Sequence, residues 1–177
     1  MRSSVLVAIV VGALTVAPTF APPAAADIDG ENFTSEAHGI RATLPAGWRV
    51  TESSGYPRTL VWLRRSRPRV RIALTIDPIA ADCRGGAAFC SREPAAAAAA
   101  LRAHLVAAGF EITAQEQTRT PELEYRIGRS YLRHAVIIVG DSLVSVILAA
   151  DSPQDRAAVA RTFDRITQSV RPLAPRP

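Results

Sequence analysis

The sequence contains no lysine, and every one of its 21 basic residues is arginine. A Schiff base, a Walker loop and a lysine nucleophile each depend on the lysine amine, so these chemistries are excluded. Aromatic residues make up only 6% of the chain, and their spacing shows no stacking ladder. Without such a ladder or a strong basic excess, nucleic acid is not an expected partner.

What the sequence does contain is typical of one globular domain. Its 177 residues are 48% hydrophobic and 21% charged. The length supports one core rather than two, and the composition excludes both a disordered chain and a protein with several membrane spans.

Residues 1–26 are typical of a secretory signal peptide. Arg2 precedes an uncharged apolar run over residues 5–16, and Ala24 and Ala26 provide the small side chains that signal peptidase requires. We therefore predict cleavage after Ala26 and a secreted or periplasmic location. Removal of this segment leaves 20 arginines and 16 acidic residues, a net charge of +4. An uncleaved membrane anchor is the alternative, which the short apolar run and the prolines near its end disfavour.

Cys83 and Cys90 are the two cysteines of the chain. In an exported protein an even pair predicts one disulfide bond, here closing a short, glycine-containing loop. A metal site or a redox pair is the alternative. It is disfavoured because the spacing is not that of a C-x-x-C motif and no histidine lies within ten residues of either cysteine.

Apolar and polar residues alternate over several short segments, which predicts β-strands. Within residues 70–76 the apolar side chains face one way, whereas Arg71 and Thr75 face the other. A turn at residues 66–68 is predicted to connect this strand to the preceding one as a hairpin. The other predicted strands cover residues 40–44, 59–63, 110–113, 123–127, 131–139 and 143–149.

Two segments are predicted to form helices. The alanine-rich segment that follows Ser91, its predicted N-cap, extends to about Ala108, where Gly109 can end it. A second helix is predicted to begin at Ser152. The apolar stripe of this helix consists of Val159, Phe163, Ile166 and Val170.

The composition of two strands predicts how the elements are layered. Residues 135–139 and 143–149 have no fully polar face, so both faces of the central sheet must be covered. Short turns between neighbouring strands require antiparallel pairing. We therefore predict an α+β domain over residues 27–170, an antiparallel sheet with helices covering both faces, followed by a proline-containing tail over residues 171–177.

Three stretches give the chain a family resemblance. GIRATLPAGWRV near the mature N-terminus, a mid-chain helix ending in AAGF, and VARTFDRITQSV near the C-terminus resemble the Mog1/PsbP-like superfamily. The resemblance covers most of residues 33–170 and is greatest to the exported bacterial members of unknown function. It implies an α/β/α sandwich, that is, an antiparallel sheet between helices. The matching motifs are structural, and the resemblance implies no catalytic residue.

Five arginines lie close together around the predicted hairpin: Arg64, Arg65, Arg67, Arg69 and Arg71. Arg69 and Arg71 are predicted to project from the polar face of their strand. Guanidinium groups bind carboxylate and phosphate through paired hydrogen bonds. The hairpin is therefore a candidate site for a lipid head group, an acidic envelope polymer or an acidic protein. The alternative is that these charges only protect a sheet edge from aggregation.

Residues 140–143 read GDSL, the nucleophile block of a hydrolase family. A hydrolase of that family needs a histidine well downstream of its serine, and no histidine follows Ser142. We favour a hairpin turn formed by the glycine and aspartate of this string.

The three histidines, His38, His104 and His134, have no metal-ligand spacing, so no metal or other cofactor is expected. The sequence therefore predicts a non-enzymatic binding or assembly accessory protein of the cell envelope or extracellular space, with at most peripheral membrane contact. A small secreted hydrolase built on Ser142 and a purely structural envelope component are the alternatives.

Overall fold

The computed structural model describes residues 27–52, 58–81 and 89–174. Among these residues no helix is long and apolar enough to cross a membrane. The helices are α1 (Pro94–Ala107), α2 (Pro153–Ala158) and α3 (Ala160–Ser169). The strands are β1 (Asp27–Asp29), β2 (Asn32–Ser35), β3 (Ile40–Thr43), β4 (Arg49–Glu52), β5 (Thr59–Ser66), β6 (Arg69–Pro78), β7 (Glu111–Glu116), β8 (Glu122–Ile127), β9 (Ser130–Val139), β10 (Ser142–Ala150) and β11 (Arg171–Pro172).

A seven-stranded antiparallel sheet forms the centre of the protein, in the order β4–β5–β6–β10–β9–β8–β7. Each half of this sheet consists of strands that are consecutive in sequence. The two halves meet where β6 pairs with β10 over nine residue pairs. A smaller antiparallel sheet has the order β1–β2–β3–β11. The structure confirms the predicted α+β class.

The larger hydrophobic core lies between one face of the central sheet, the small sheet and α3. The apolar side chains of β6 pack into this core, because every second residue of a strand points to the same face of the sheet. Phe33 of β2 and Phe163 of α3 are fully buried there. The β6 residues in this core are Val70, Ile72, Leu74 and Ile76, as predicted.

The opposite face of the central sheet is covered by α1, which lies over β7, β8 and β9. Leu101 and Leu105 of this helix pack against Leu123 and Tyr125 of β8 in a second core cluster. Helices therefore cover both faces of the sheet.

The N-cap predicted for α1 is wrong by two residues. Glu93 is the N-cap, and the Oγ of Ser91 instead accepts a hydrogen bond of 3.1 Å from the Glu93 N–H. Pro94 is the reason, because its fixed φ and missing N–H suit the first helical position. Gly109 follows the helix at φ +84°, a left-handed conformation that favours glycine and confirms the predicted stop.

The C-terminal helix predicted from Ser152 is divided in two. Ser152 is the N-cap of α2, its Oγ accepting a hydrogen bond of 3.1 Å from the Asp155 N–H. The chain then leaves helical geometry at Val159, where φ is −117° and ψ is 8°. A β-branched residue has low helix propensity, and Val159 buries its side chain in the core at this break.

The segment predicted as a tail begins with a short strand. Arg171 and Pro172 form β11 opposite Arg41 and Ile40 of β3, and the Leu173 N–H donates to the Gly39 carbonyl at 2.7 Å. A proline is tolerated here because β11 is an edge strand.

Candidate anion-binding site

The five arginines predicted at the hairpin lie together at the turn between β5 and β6. They line an open cleft of about 700 Å³. The predicted direction of Arg69 and Arg71 is confirmed, since both are exposed while the β6 residues between and beyond them are buried. The whole lining consists of Gly47, Arg49, Arg64, Arg65, Ser66, Arg67, Arg69, Val70 and Arg71.

Arg49 is the sixth arginine of this cleft and was missed in the sequence. It begins β4, fifteen positions before Arg64, and only strand pairing brings the two together. The sequence does carry a signal for the strand, because apolar Trp48 and Val50 alternate with polar Arg49 and Thr51. That alternation does not indicate which strand β4 pairs with.

Strand register places three of these arginines in a row. Arg49 lies opposite Arg64, and Arg64 lies opposite Arg71, so the three project from the same face of adjacent strands. Neighbouring strands are about 4.8 Å apart, so the row extends over ~10 Å. Arg69 lies on the same face at the hairpin end, opposite Ser66. We call Arg49, Arg64, Arg69 and Arg71 the arginine row.

Few carboxylates neutralise this surface. Arg69 is 3.8 Å from Asp151, and both side chains are largely exposed. Among the residues that the structure describes, no carboxylate lies within 4.0 Å of Arg49, Arg64 or Arg71. Like charges directly opposite each other across strands are destabilising. A bound anion would relieve this repulsion.

Trp62 lies on the same face as the arginine row. It is two residues before Arg64 in β5, opposite Ala73, and its side chain is half-buried. Tryptophan combines a large apolar ring with a polar N–H and is favoured where a protein meets a membrane surface. The face therefore combines cationic groups with an aromatic ring suited to the interface between lipid and water.

The GDSL string forms the turn between β9 and β10. Gly140 has φ +59°, and Ser142 begins β10 opposite Val139. His134 lies opposite Ile147 of β10, so these two side chains share a face of the sheet. Ser142 is five residues before Ile147 in the same strand, and an odd separation places its side chain on the other face. These two residues therefore do not form a serine–histidine pair.

The other two histidines lie elsewhere. His38 ends a short 3-10 helix, His104 lies on α1, and both are exposed. Within residues 27–52, 58–81 and 89–174, no group of three or more histidine, cysteine or acidic side chains could hold a metal ion.

Cys90 is half-buried, whereas Cys83 and the predicted signal peptide lie outside the described residues. The disulfide bond and the export of the chain stay predictions.

One buried histidine contacts one buried tyrosine beneath α1. Tyr125 Oη is 3.2 Å from His134 Nδ1, and both residues are less than 5% exposed. His134 Nε2 has no hydrogen-bond partner among the residues that the structure describes. Burial lowers the pKa of His134 to about 4, since a charged imidazole loses its hydration in this environment.

Arg133 connects the opposite face of β9 to β8 and α3. Its guanidinium group contacts Glu122 at 2.6 Å and Asp164 at 2.9 Å, and its central carbon lies 4.6 Å from the centre of the Phe163 ring. Burial raises the pKa of Glu122 despite the opposing effect of Arg133. Unlike Arg49, Arg64 and Arg71, this arginine is paired with two carboxylates and has a structural role.

No protein-family model matches this chain, and no curated protein matches it in sequence. The solution structure of cyanobacterial PsbP (CyanoP) from Synechocystis sp. PCC 6803 is similar, with a TM-score of 0.55 and 17% sequence identity, over 89% of this chain and 97% of that one. A crystal structure of PA94, a protein of unknown function from Pseudomonas aeruginosa, has a TM-score of 0.41 and 17% identity, over 77% and 92% of the two chains. The CyanoP comparison shows that this chain has a PsbP-like α/β fold.

Proposed function

We propose that this chain is an exported, non-enzymatic binding or assembly accessory protein that holds an anionic partner in the arginine cleft. We assign it to the exported bacterial members of the Mog1/PsbP-like superfamily. The observation that carries the proposal is the arginine row, in which three guanidinium groups on adjacent strands have no carboxylate partner among the described residues.

The chemistry of the row favours phosphate or carboxylate groups of a multivalent partner. Each guanidinium group can donate two parallel hydrogen bonds to such a group. One small anion can engage only part of a row ~10 Å long, whereas a surface with many anionic groups can engage all of it. We propose the anionic lipid surface of the envelope as the partner, because Trp62 lies beside the row.

The position of the hairpin in the sheet argues against edge protection as its only role. β5 is paired on both sides, with β4 and β6, and β6 is paired with β5 and β10. Arg64 lies between Arg49 and Arg71, and Arg71 lies between Arg64 and Ala149, so charges at these two positions are not needed to block the addition of another strand. Arg64 and Arg71 therefore need another explanation, and anion binding provides one.

Binding to vesicles tests the proposal. The mature protein is mixed with vesicles of phosphatidylglycerol and phosphatidylcholine, and separately with phosphatidylcholine alone, in a salt series. We expect binding only to the anionic vesicles, and we expect it to weaken as salt rises, because exposed charges are screened over about 8 Å at physiological ionic strength. A basic residue near an anionic membrane contributes about 1 kcal/mol, so Arg64→Glu with Arg71→Glu should weaken binding at least about tenfold.

A matched control separates position from total charge. Arg102 on α1 and Arg165 on α3 are both exposed and have no ion pair among the described residues. Arg102→Glu with Arg165→Glu changes the net charge equally and should leave most of the binding intact. Equal losses in the two double variants, or no binding by the wild type at low salt, would refute the proposal. Tighter binding to soluble polyglutamate than to vesicles would instead identify an acidic polymer as the partner.

A further inference from the structure

A second candidate site is the edge of β9 beyond the end of β8. β8 pairs with β9 as far as Glu122, which lies opposite Ala135, and β9 continues to Val139. One more hydrogen bond follows, from the Val136 N–H to the Pro121 carbonyl at 3.0 Å. Pro121 has no N–H to return, so the pairing ends there. Within the described part of the chain, the last residues of β9 therefore have no strand partner on this side.

This edge offers unpaired backbone groups to a ligand. In an antiparallel pair the N–H and C=O of one residue point to the same side, and successive residues alternate. Since the backbone N–H of Val136 points toward β8, the backbone groups of Ile138 point the same way. Those of Ile137 and Val139 point toward β10. No backbone hydrogen bond joins Ile138 to the segment before β8. Pro121 occupies the position opposite Val136, so the backbone groups that can pair with another strand are the N–H and C=O of Ile138.

The open edge borders a cleft of about 540 Å³ that brings further polar groups to it. Thr167 of α3 lines this cleft and is only 6% exposed, but its Oγ1 is enclosed and has no hydrogen-bond partner among the described residues, so a ligand in the cleft does not reach it. Arg119 and Arg171 also line the cleft, both are exposed, and no carboxylate within the described ranges lies within 4.0 Å of either.

We propose that an extended peptide segment carrying acidic side chains binds here as an additional strand beside residues 137–139. Its backbone would pair with Ile138, and its acidic side chains would bind Arg119 and Arg171. Main-chain hydrogen bonds supply the affinity in this mode of recognition, and the flanking side chains supply the specificity. Arg171 donates one hydrogen bond, from Nη1 to the Val170 carbonyl at 2.7 Å, but neither arginine has a carboxylate partner among the described residues, so the site favours an acidic partner over a basic one.

This site is separate from the arginine cleft. Ala150 at the end of β10 lies opposite Val70, beside the β5–β6 turn, whereas Ser142 at its other end lies opposite Val139. The two sites therefore lie at opposite ends of the central strands, and each can be removed without the other.

The probe for this proposal is a fluorescent hexapeptide of alternating valine and glutamate, which places all its carboxylates on one face of a strand. We expect Arg119→Glu with Arg171→Glu to weaken its binding about tenfold or more, and Arg102→Glu with Arg165→Glu to have little effect. The Arg119/Arg171 variant should bind anionic vesicles as the wild type does.

Amide hydrogen exchange tests the pairing itself. The Ile138 amide should exchange quickly in the free protein and become protected when the hexapeptide is added. A peptide methylated on alternate backbone nitrogens cannot donate these hydrogen bonds and should not bind. The proposal is overturned if the methylated peptide binds equally well, if a lysine version binds as tightly as the glutamate version, or if Ile138 gains no protection. Absence of binding by the wild type, or occupation of the edge by a second copy of the chain, would also overturn it.

Discussion

The buried pair of His134 and Tyr125 should make the stability of this protein sensitive to acid. In the folded protein, burial lowers the pKa of His134 from 6.5 to about 4. In the unfolded chain the imidazole returns to water and to its ordinary pKa. Between these two values the unfolded state binds more protons than the folded state, so the free energy of unfolding falls as the pH falls.

The two pKa values set the size of the effect. Each unit of difference corresponds to 1.36 kcal/mol, so the interval from 6.5 to about 4 corresponds to ~3 kcal/mol. This stability is fully present above about pH 6.5 and is fully lost below about pH 4. Glu122 has the opposite influence, because a carboxyl group with a raised pKa in the folded state gains stability as the pH falls. The contribution of His134 must therefore be isolated with a variant.

The measurement is urea unfolding of the wild type and of His134→Gln at neutral pH and near pH 4. Glutamine keeps a polar group beside Tyr125 but does not titrate, so the wild type should lose ~3 kcal/mol more than the variant on acidification. His104→Gln, on the exposed face of α1, is the matched control and should behave as the wild type does. If the wild type and His134→Gln lose stability in parallel, the histidine is not held neutral by burial and the reasoning fails.

Three other predictions concern separate parts of the chain. Arg133→Ala should lower the free energy of unfolding by ~3 kcal/mol in urea, because it leaves Glu122 half-buried without its partner; a change within error would show that the ion pairs are not stabilising. Cys83→Ser should lower stability by about 2 kcal/mol without abolishing the fold, and a thiol that is rapidly alkylated in the native, oxidised protein would refute the predicted bridge to Cys90. The native protein should begin at Asp27 by intact mass, and a mass that includes residues 1–26 would contradict the predicted export signal.

Local periodicity was sufficient to predict most of the central sheet. In β6 the alternation of Val70, Ile72, Leu74 and Ile76 with polar residues corresponds to the observed burial, because one face of the strand meets the core and the other does not. The strand β2 escaped prediction because Phe33 is its one apolar residue, so its four residues show no alternation of apolar and polar side chains. The break at Val159 also escaped, since the apolar stripe continues through it and only the backbone dihedral angles depart from those of a helix.

The candidate site was predictable where its residues are neighbours in sequence and not where they are distant. Arg64 and Arg71 belong to one hairpin, so turn signals were enough to bring them together. Arg49 reaches them only through the pairing of β4 with β5, and no local pattern encodes which strand pairs with which. The open edge of β9 depends on Pro121, whose effect appears only once β8 is known to pair beside it.

The join between β6 and β10 has a consequence for how fast this protein folds. The strands within each half of the sheet are consecutive in the chain, so their pairing closes short loops and costs little entropy. The pairing of β6 with β10 instead closes a loop over residues 79–141, which includes α1 and three further strands. Contacts of such high sequence separation slow folding, so we expect the two halves to form early and the nine-residue join to form last. The rate of folding is then governed by the centre of the sheet rather than by either of its edges.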